Sequence, residues 1–185
     1  MDATSIFAFA GSLRKDSYNK ALLRAAKELV PQNVTIEIFD LDTMPLYNQD
    51  IEYQMPDIIK LFKSKIKAAH ALLIATPEYN FSIPGVLKNA IDWASRPYGE
   101  NSFDGKPVAI MGASPGMIGS ARAQYHLRQS CVYLNMYPVN QPEVIVSFAE
   151  KKINRNGVVE DDATRGYIKA LMRNLIDLKE RLVSK

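Results

Sequence analysis

Side chains suited to metal or thiol chemistry are almost missing from this chain. One cysteine, Cys131, and two histidines, His70 and His126, occur in 185 residues. A lone thiol cannot close an internal disulfide, and two separate histidines without cysteine neighbours match no zinc-ligand spacing. No stretch approaches the ~20 apolar residues of a membrane span. No basic segment precedes the first apolar run, so a cleaved signal is not expected either, and a reducing cytoplasm is the expected setting. An excess of one charge is also absent. Against 23 Lys and Arg stand 20 Asp and Glu, interspersed along the chain. That leaves no basic stripe with interleaved aromatics, so a nucleic-acid partner is not expected.

What is present is a regular alternation. Apolar β-rich runs at Ile6–Ala10, Val34–Phe39, Ala71–Ala75, Val108–Met111 and Val144–Phe148 read as strands. Helical spacing fills about 17–30, 55–68, 84–95, 119–135 and 162–183. In the third helix Leu87, Ala90, Ile91 and Ala94 mark a buried face, with Ser82 as its possible N-cap and Pro84 near its first turn. The last helix carries Ile168, Leu171, Leu175, Leu178 and Leu182 as one stripe. Short strands apolar on both sides, alternating with helices, predict a parallel sheet covered on both faces. Five such units predict an α/β, flavodoxin-like doubly wound sheet in the order 2-1-3-4-5, as a single domain over residues 1–185. The polar segment Glu150–Asp162, with its Asn156-Gly157 turn, reads as an excursion before the last helix.

In such sheets ligands bind beyond the carboxyl ends of the strands, where the strand order reverses. Three loops converge there. The first, "GSLRKDSYN" (Gly11–Asn19), offers Ser12, Ser17 and Asn19 as neutral donors, Arg14 as a charged fork, and a helix start. This suits a dianionic phosphate, although Asp16 or Ser17 is equally an ordinary N-cap. It lacks the glycine spacing of a Walker A or dinucleotide loop, which points to a mononucleotide. The second loop, Thr76–Gly85, is stiffened by Pro77 and Pro84 and carries Glu78, Tyr79 and Asn80. It reads as a platform for a planar heterocycle or as a rigid connection. The third, Gly112–Ser120, has Gly112, Gly116 and Gly119, which let backbone amides approach a flat ring; an ordinary glycine turn reads the same way. Flavin mononucleotide (FMN) satisfies all three loops together.

On these motifs, with "PEYNFSIPGVLKNAIDW" (Pro77–Trp93) and "GASPGMIGSARAQYHLRQ" (Gly112–Gln129), the chain resembles the NADPH-dependent FMN reductase family, in its chromate, quinone and azo-compound reductase branch. The resemblance implies bound FMN, with Ser12, Arg14, Ser17 and Asn19 on the phosphate. It also implies Pro77, Glu78, Tyr79 and Asn80 along the isoalloxazine, and Ser114 with Gly116 at its pyrimidine edge. Ser120 departs from the family, where a second glycine is common. The implied activity passes electrons from NADPH or NADH through FMN to small acceptors such as quinones, azo compounds, chromate or free flavin, by a ping-pong scheme. No side chain need act as nucleophile or base, since the flavin carries the redox step. The alternative is a flavodoxin-like electron carrier that does not itself oxidise NAD(P)H.

On the fourth helix Ala123, Leu127, Cys131 and Leu134 form the expected core face. Arg122 and Tyr125 project from nearly the opposite side, either into solvent or, with Glu143, at a subunit contact of a homodimer or homotetramer. Trp93 reads as helix core, with a subunit boundary as its other reading.

Overall fold

The computed structural model describes residues 3–183. Its strands are β1 (Thr4–Ala10), β2 (Val34–Phe39), β3 (Ala71–Ala75), β4 (Pro107–Ala113), β5 (Tyr137–Pro138) and β6 (Val144–Val146). The helices are α1 (Tyr18–Leu29), α2 (Asp57–Ala68), α3 (Gly85–Ala94), α4 (Ala121–Tyr133) and α5 (Asp162–Val183). Every pairing is parallel, in the order β2-β1-β3-β4-β5, with β6 also on β4. This is the flavodoxin-like order that the alternation predicts.

The fifth position differs from the expected strand Val144–Phe148. It is shared by two short pieces, β5 against Pro107 and Val108 and β6 against Met111–Ala113. Pro138 and Pro142 lack the N–H a continuous ladder needs. At the other end the chain stops pairing with β4 at Val146. Phe148 turns into the left-handed region at φ 50°, and the next amide, of Ala149, donates to the Ser114 carbonyl.

Strand alternation sorts the core. On β1, Ile6, Ala8 and Ala10 face Leu22 and Ala26 of α1 and Ile168, Leu171 and Leu175 of α5. Phe7 and Phe9 face the other layer, with Phe62 and Ile66 of α2, Leu87 and Ile91 of α3, and Leu127 and Cys131 of α4. Phe7, Phe9, Phe39 and Phe62 form a tilted cluster with ring centroids 5.2–6.0 Å apart. Such pairs add roughly 0.5–1.5 kcal/mol each beyond area burial. β1 is apolar throughout because helices cover both of its faces.

Trp93 is fully buried and donates its indole N–H to the Pro45 carbonyl at 2.9 Å, so it anchors a loop within the core. Ser82 does not cap α3. The helix begins at Gly85, and the Pro84 carbonyl accepts the first bonds, from Leu87 and Lys88. No helix among the described residues is long and apolar enough to cross a membrane.

Candidate functional site

The loop after β1 reaches α1 through residues 11–17. Gly11 N–H still donates to the Ala75 carbonyl, extending the ladder by one residue. Beyond it, the backbone N–H groups of residues 12–16 find no acceptor among the described residues. The Ser12 hydroxyl is also unpartnered, although the residue is only 4% exposed. Residues 13–16 are exposed while Ser12 and Ser17 are buried, so these donors are open to a ligand that accepts at the start of α1. Ser17 does cap α1, but its Oγ stands 3.4 Å from the Lys20 N–H, long for such a bond. Arg14 makes no ion pair among the described residues; its guanidinium lies 5.9 Å from the centroid of the Tyr18 ring.

Asn19 has a job within the fold. Its amide nitrogen donates to the Ala113 carbonyl, and its oxygen accepts the Ala113 N–H, both at 3.0 Å. This buried clasp ties the start of α1 to the end of β4, leaving one amide N–H for anything else. Between the two elements lies a cleft of about 70 Å³ bordered by Ser12, Arg14, Ser17, Tyr79 and Ser114. At ~30 Å³ per water, that admits a tetrahedral anion at its base. The donors are neutral or cationic, Pro77–Tyr79 of the second loop form part of the wall, and the Glu78 carboxylate there is engaged with α4. This chemistry fits the phosphate end of FMN.

The second loop is held by two reciprocal bonds of 3.0 Å between the backbones of Tyr79 and Ser82. The two residues between them, Asn80 and Phe81, have φ of 50° and 65°. Positive φ at both central positions defines a type I′ turn, a rare setting for phenylalanine. The Arg122 guanidinium stacks 4.0 Å from the centroid of Phe81. Thr76 Oγ1 donates to the Pro77 carbonyl at 2.8 Å, which fixes the loop at its root. Tyr79 is half exposed beside the cleft.

Glu78 lies on the platform loop, and its side chain reaches the start of α4. One carboxylate oxygen accepts the N–H of Arg122 at 2.9 Å and of Ala123 at 3.3 Å. The other pairs with the Arg122 guanidinium at 3.1 Å. This cap across 44 residues of sequence is a positioning role that local sequence reasoning missed. Nothing local signals it, since the residue before α4 that would ordinarily cap it, Ser120, makes no cap bond.

The glycine loop is less open than its composition suggests. Ser114 N–H donates to the Val146 carbonyl, and Gly116 N–H donates to Ser114 Oγ. The two amides expected at a ring edge are therefore engaged inside the protein. The glycines serve close packing instead. A Cβ on Gly112 would overlap Ser120 Oγ and the Thr76 carbonyl oxygen. At Gly119, φ 61°, it would meet Ile145 at 2.8 Å. Ser120 itself sits at φ 84°, with its hydroxyl accepting from Gln124 at 3.2 Å.

Of the outlying candidates, Arg122 is held by Glu78 and Phe81, and Tyr125 is half exposed. Glu143 borders a separate hollow with Lys152, Asp161 and Tyr167, so the structure does not gather these three residues at one point. Cys131 is fully buried, and burial pushes its thiol up to about 11, which keeps it protonated and inert. His126 Nδ1 lies 3.0 Å from Ser82 Oγ, a second link between α4 and the platform loop. No cluster of metal-ligating side chains occurs among the described residues.

Residues 4–151 match the family described as NADPH-dependent FMN reductase. The chain is 49% identical to an NAD(P)H-dependent FMN reductase of Pseudomonas aeruginosa, over 94% of each chain. It is 46% identical to a 2-hydroxy-1,4-benzoquinone reductase of a Burkholderia species, over 92% of this chain and 93% of that one. Among solved structures, a flavoenzyme NAD(P)H:(acceptor) oxidoreductase of Paracoccus denitrificans superposes with a TM-score of 0.88 at 35% identity. That match covers 96% of this chain and 98% of the other.

Proposed function

The chain belongs to the NADPH-dependent FMN reductase family, and from that premise we propose which of its residues carry the reaction. It is an NAD(P)H-dependent oxidoreductase with FMN as its cofactor. Bound FMN supplies a centre that takes a hydride and releases electrons.

The unpartnered amides of residues 12–16, with the unpartnered Ser12 hydroxyl at the cleft, are the single observation that carries the assignment. They receive the phosphate, together with Ser17 and Arg14. Asn19 shapes the same cleft through its clasp on Ala113. Pro77, Glu78, Tyr79 and Asn80 border the ring; Glu78 does so by fixing the platform against α4. Ser114 and Gly116 shape the opposite rim rather than donate to it. No side chain is assigned as general acid, base or nucleophile. Donor and acceptor use the same open face in turn, and the acceptors are small molecules, quinones first among them. The relatives named above are reductases, which sets aside the electron-carrier alternative.

The wider reading takes residues 1–185 as one cytoplasmic domain, although the outermost residues lie outside the described range. One fully buried cysteine suits a reducing compartment. It also keeps a homodimer or homotetramer in which the half-exposed Tyr125 meets a partner. A monomer by light scattering, with Tyr125→Ala fully active, would end that part.

The test compares FMN with riboflavin, which lacks the phosphate. Two or more charge-assisted bonds, at ~1.5–3 kcal/mol each, predict FMN binding at least about a hundredfold tighter. Equal affinity would remove the phosphate assignment. Parallel initial-rate lines for NADPH and benzoquinone are expected; intersecting lines would overturn the shared face.

A further inference from the structure

Beside the phosphate cleft, across Arg14, Ser17 and Tyr18, lies a second hollow of about 820 Å³ between α1 and the excursion before α5. Its wall carries four cations, Arg14, Lys15, Arg24 and Arg155, against two carboxylates, Asp16 and Glu150. None of the six makes an ion pair among the described residues. Elsewhere the surface pairs its charges readily, as in Lys20–Asp40 at 2.7 Å and Lys88–Asp92 at 2.6 Å. With Arg14 assigned to the neighbouring phosphate, Lys15, Arg24 and Arg155 remain against Asp16 and Glu150, a net positive lining that favours an anion.

The hollow has a fixed part and a free part. Gly157, at φ 72°, leaves its Cβ space to the Arg24 guanidinium, which donates to the Gly157 carbonyl at 3.3 Å. The turn thereby presents Arg24 at a set position one to two turns down α1. Arg155, two residues earlier on the same turn, has no hydrogen bond or ion pair within the described chain. Two guanidinium forks are the chemistry that recognises a phosphate monoester in preference to a hydroxyl. A volume of this size accommodates a nucleoside.

We infer that this hollow takes the phosphorylated adenosine end of the electron donor, with Arg24 and Arg155 on its 2′-phosphate. The inference rests on the reading that FMN occupies the neighbouring cleft and NAD(P)H is the donor. It gives this chain a structural basis for choosing NADPH over NADH, which no motif in the sequence supplies.

The experiment uses the full FMN-loaded chain and titrates adenosine 2′,5′-bisphosphate by calorimetry, beside 5′-AMP and inorganic phosphate. The bisphosphate is expected to bind at least about tenfold tighter than either. R24A/R155A should weaken it about ten- to a hundredfold while the flavin absorbance is retained. In the same variant the ratio of kcat/KM for NADPH over NADH should fall about tenfold. Since Arg155 is unbonded, R155E alone serves if the double variant does not fold. Bisphosphate binding no tighter than that of 5′-AMP, or unmoved by the substitutions, overturns the inference. A wild-type holoprotein that oxidises neither donor would instead strike the function assigned above, and the titration would still decide the hollow.

Discussion

Two helices begin on the same rim of the sheet, α1 after β1 and α4 after β4, and their first turns are treated differently. A helix N-terminus presents unpaired N–H groups and a partial positive charge. At α4 the protein supplies the anion itself, because the Glu78 carboxylate accepts from Arg122 and Ala123 and pairs with the Arg122 guanidinium. At α1 the internal cap is one long bond to Ser17, and the preceding amides are bare. The proposed phosphate site therefore lies at α1, where the protein supplies no anion of its own. In the glycine-rich loop before α4, which looks more like an anion cradle in sequence, the Ser114, Gly116 and Gly119 amides are engaged within the protein.

The contrast can be broken in several places. The largest effect is expected inside the closed loop. Gly112→Ala places a Cβ on Ser120 Oγ and the Thr76 carbonyl, so it should cost about 3 kcal/mol and lower Tm by roughly 6–12 °C. Gly116→Ala, whose Cβ would meet Ser114 Oγ at 3.4 Å, should move Tm by less than about 2 °C. Equal melting curves for the two would show that close packing is not what the glycines serve. At the open start, Arg14→Ala should weaken FMN binding by about one to two decades. A dissociation constant equal to that of the parent would return Arg14 to the solvated surface.

Glu78→Ala strips α4 of its borrowed cap and should cost about 1–2 kcal/mol in chemical denaturation. Added sulfate should restore part of that loss by occupying the vacated N-terminus. No response to sulfate would mean that the two helix starts differ in shape as well as in charge. The smallest effect concerns α5, whose start shows an ordinary local cap. Asp161 accepts the Thr164 N–H at 2.7 Å and its hydroxyl at 2.6 Å, and these bonds hold its carboxyl below the usual carboxylate value. A depressed value means a contribution present above the unfolded pKa and lost as pH falls through the folded one. The cost of Asp161→Ala, about 1 kcal/mol at neutral pH, should shrink below about pH 4. A constant gap down to pH 2 would deny the cap its charge.

Much of the architecture could be read from one chain. The strand order followed from five apolar runs separated by helical spacing, and both-sided burial of β1 was legible in Ile6–Ala10. The split of the fifth strand was not, since the prolines at 138 and 142 compete with apolar neighbours and β4 decides where pairing resumes. The loops that make the rim were correctly picked out, but the partners of their groups were not. Ser82 looked like a cap and instead closes a type I′ turn with Tyr79. Asn19 looked like a phosphate donor and clasps Ala113 across 94 residues.

Local pattern alone determined the alternation of strand and helix, the reversal of strand order that opens a crevice, and the identity of three rim loops. These rest on periodicity, which each segment carries in itself. Only the tertiary structure decided which polar groups on the rim are spent on the protein and which are left for a ligand. A hydrogen bond needs its partner within about 3 Å, and for Glu78, Asn19 and Arg24 that partner lies 44, 94 and 133 residues away.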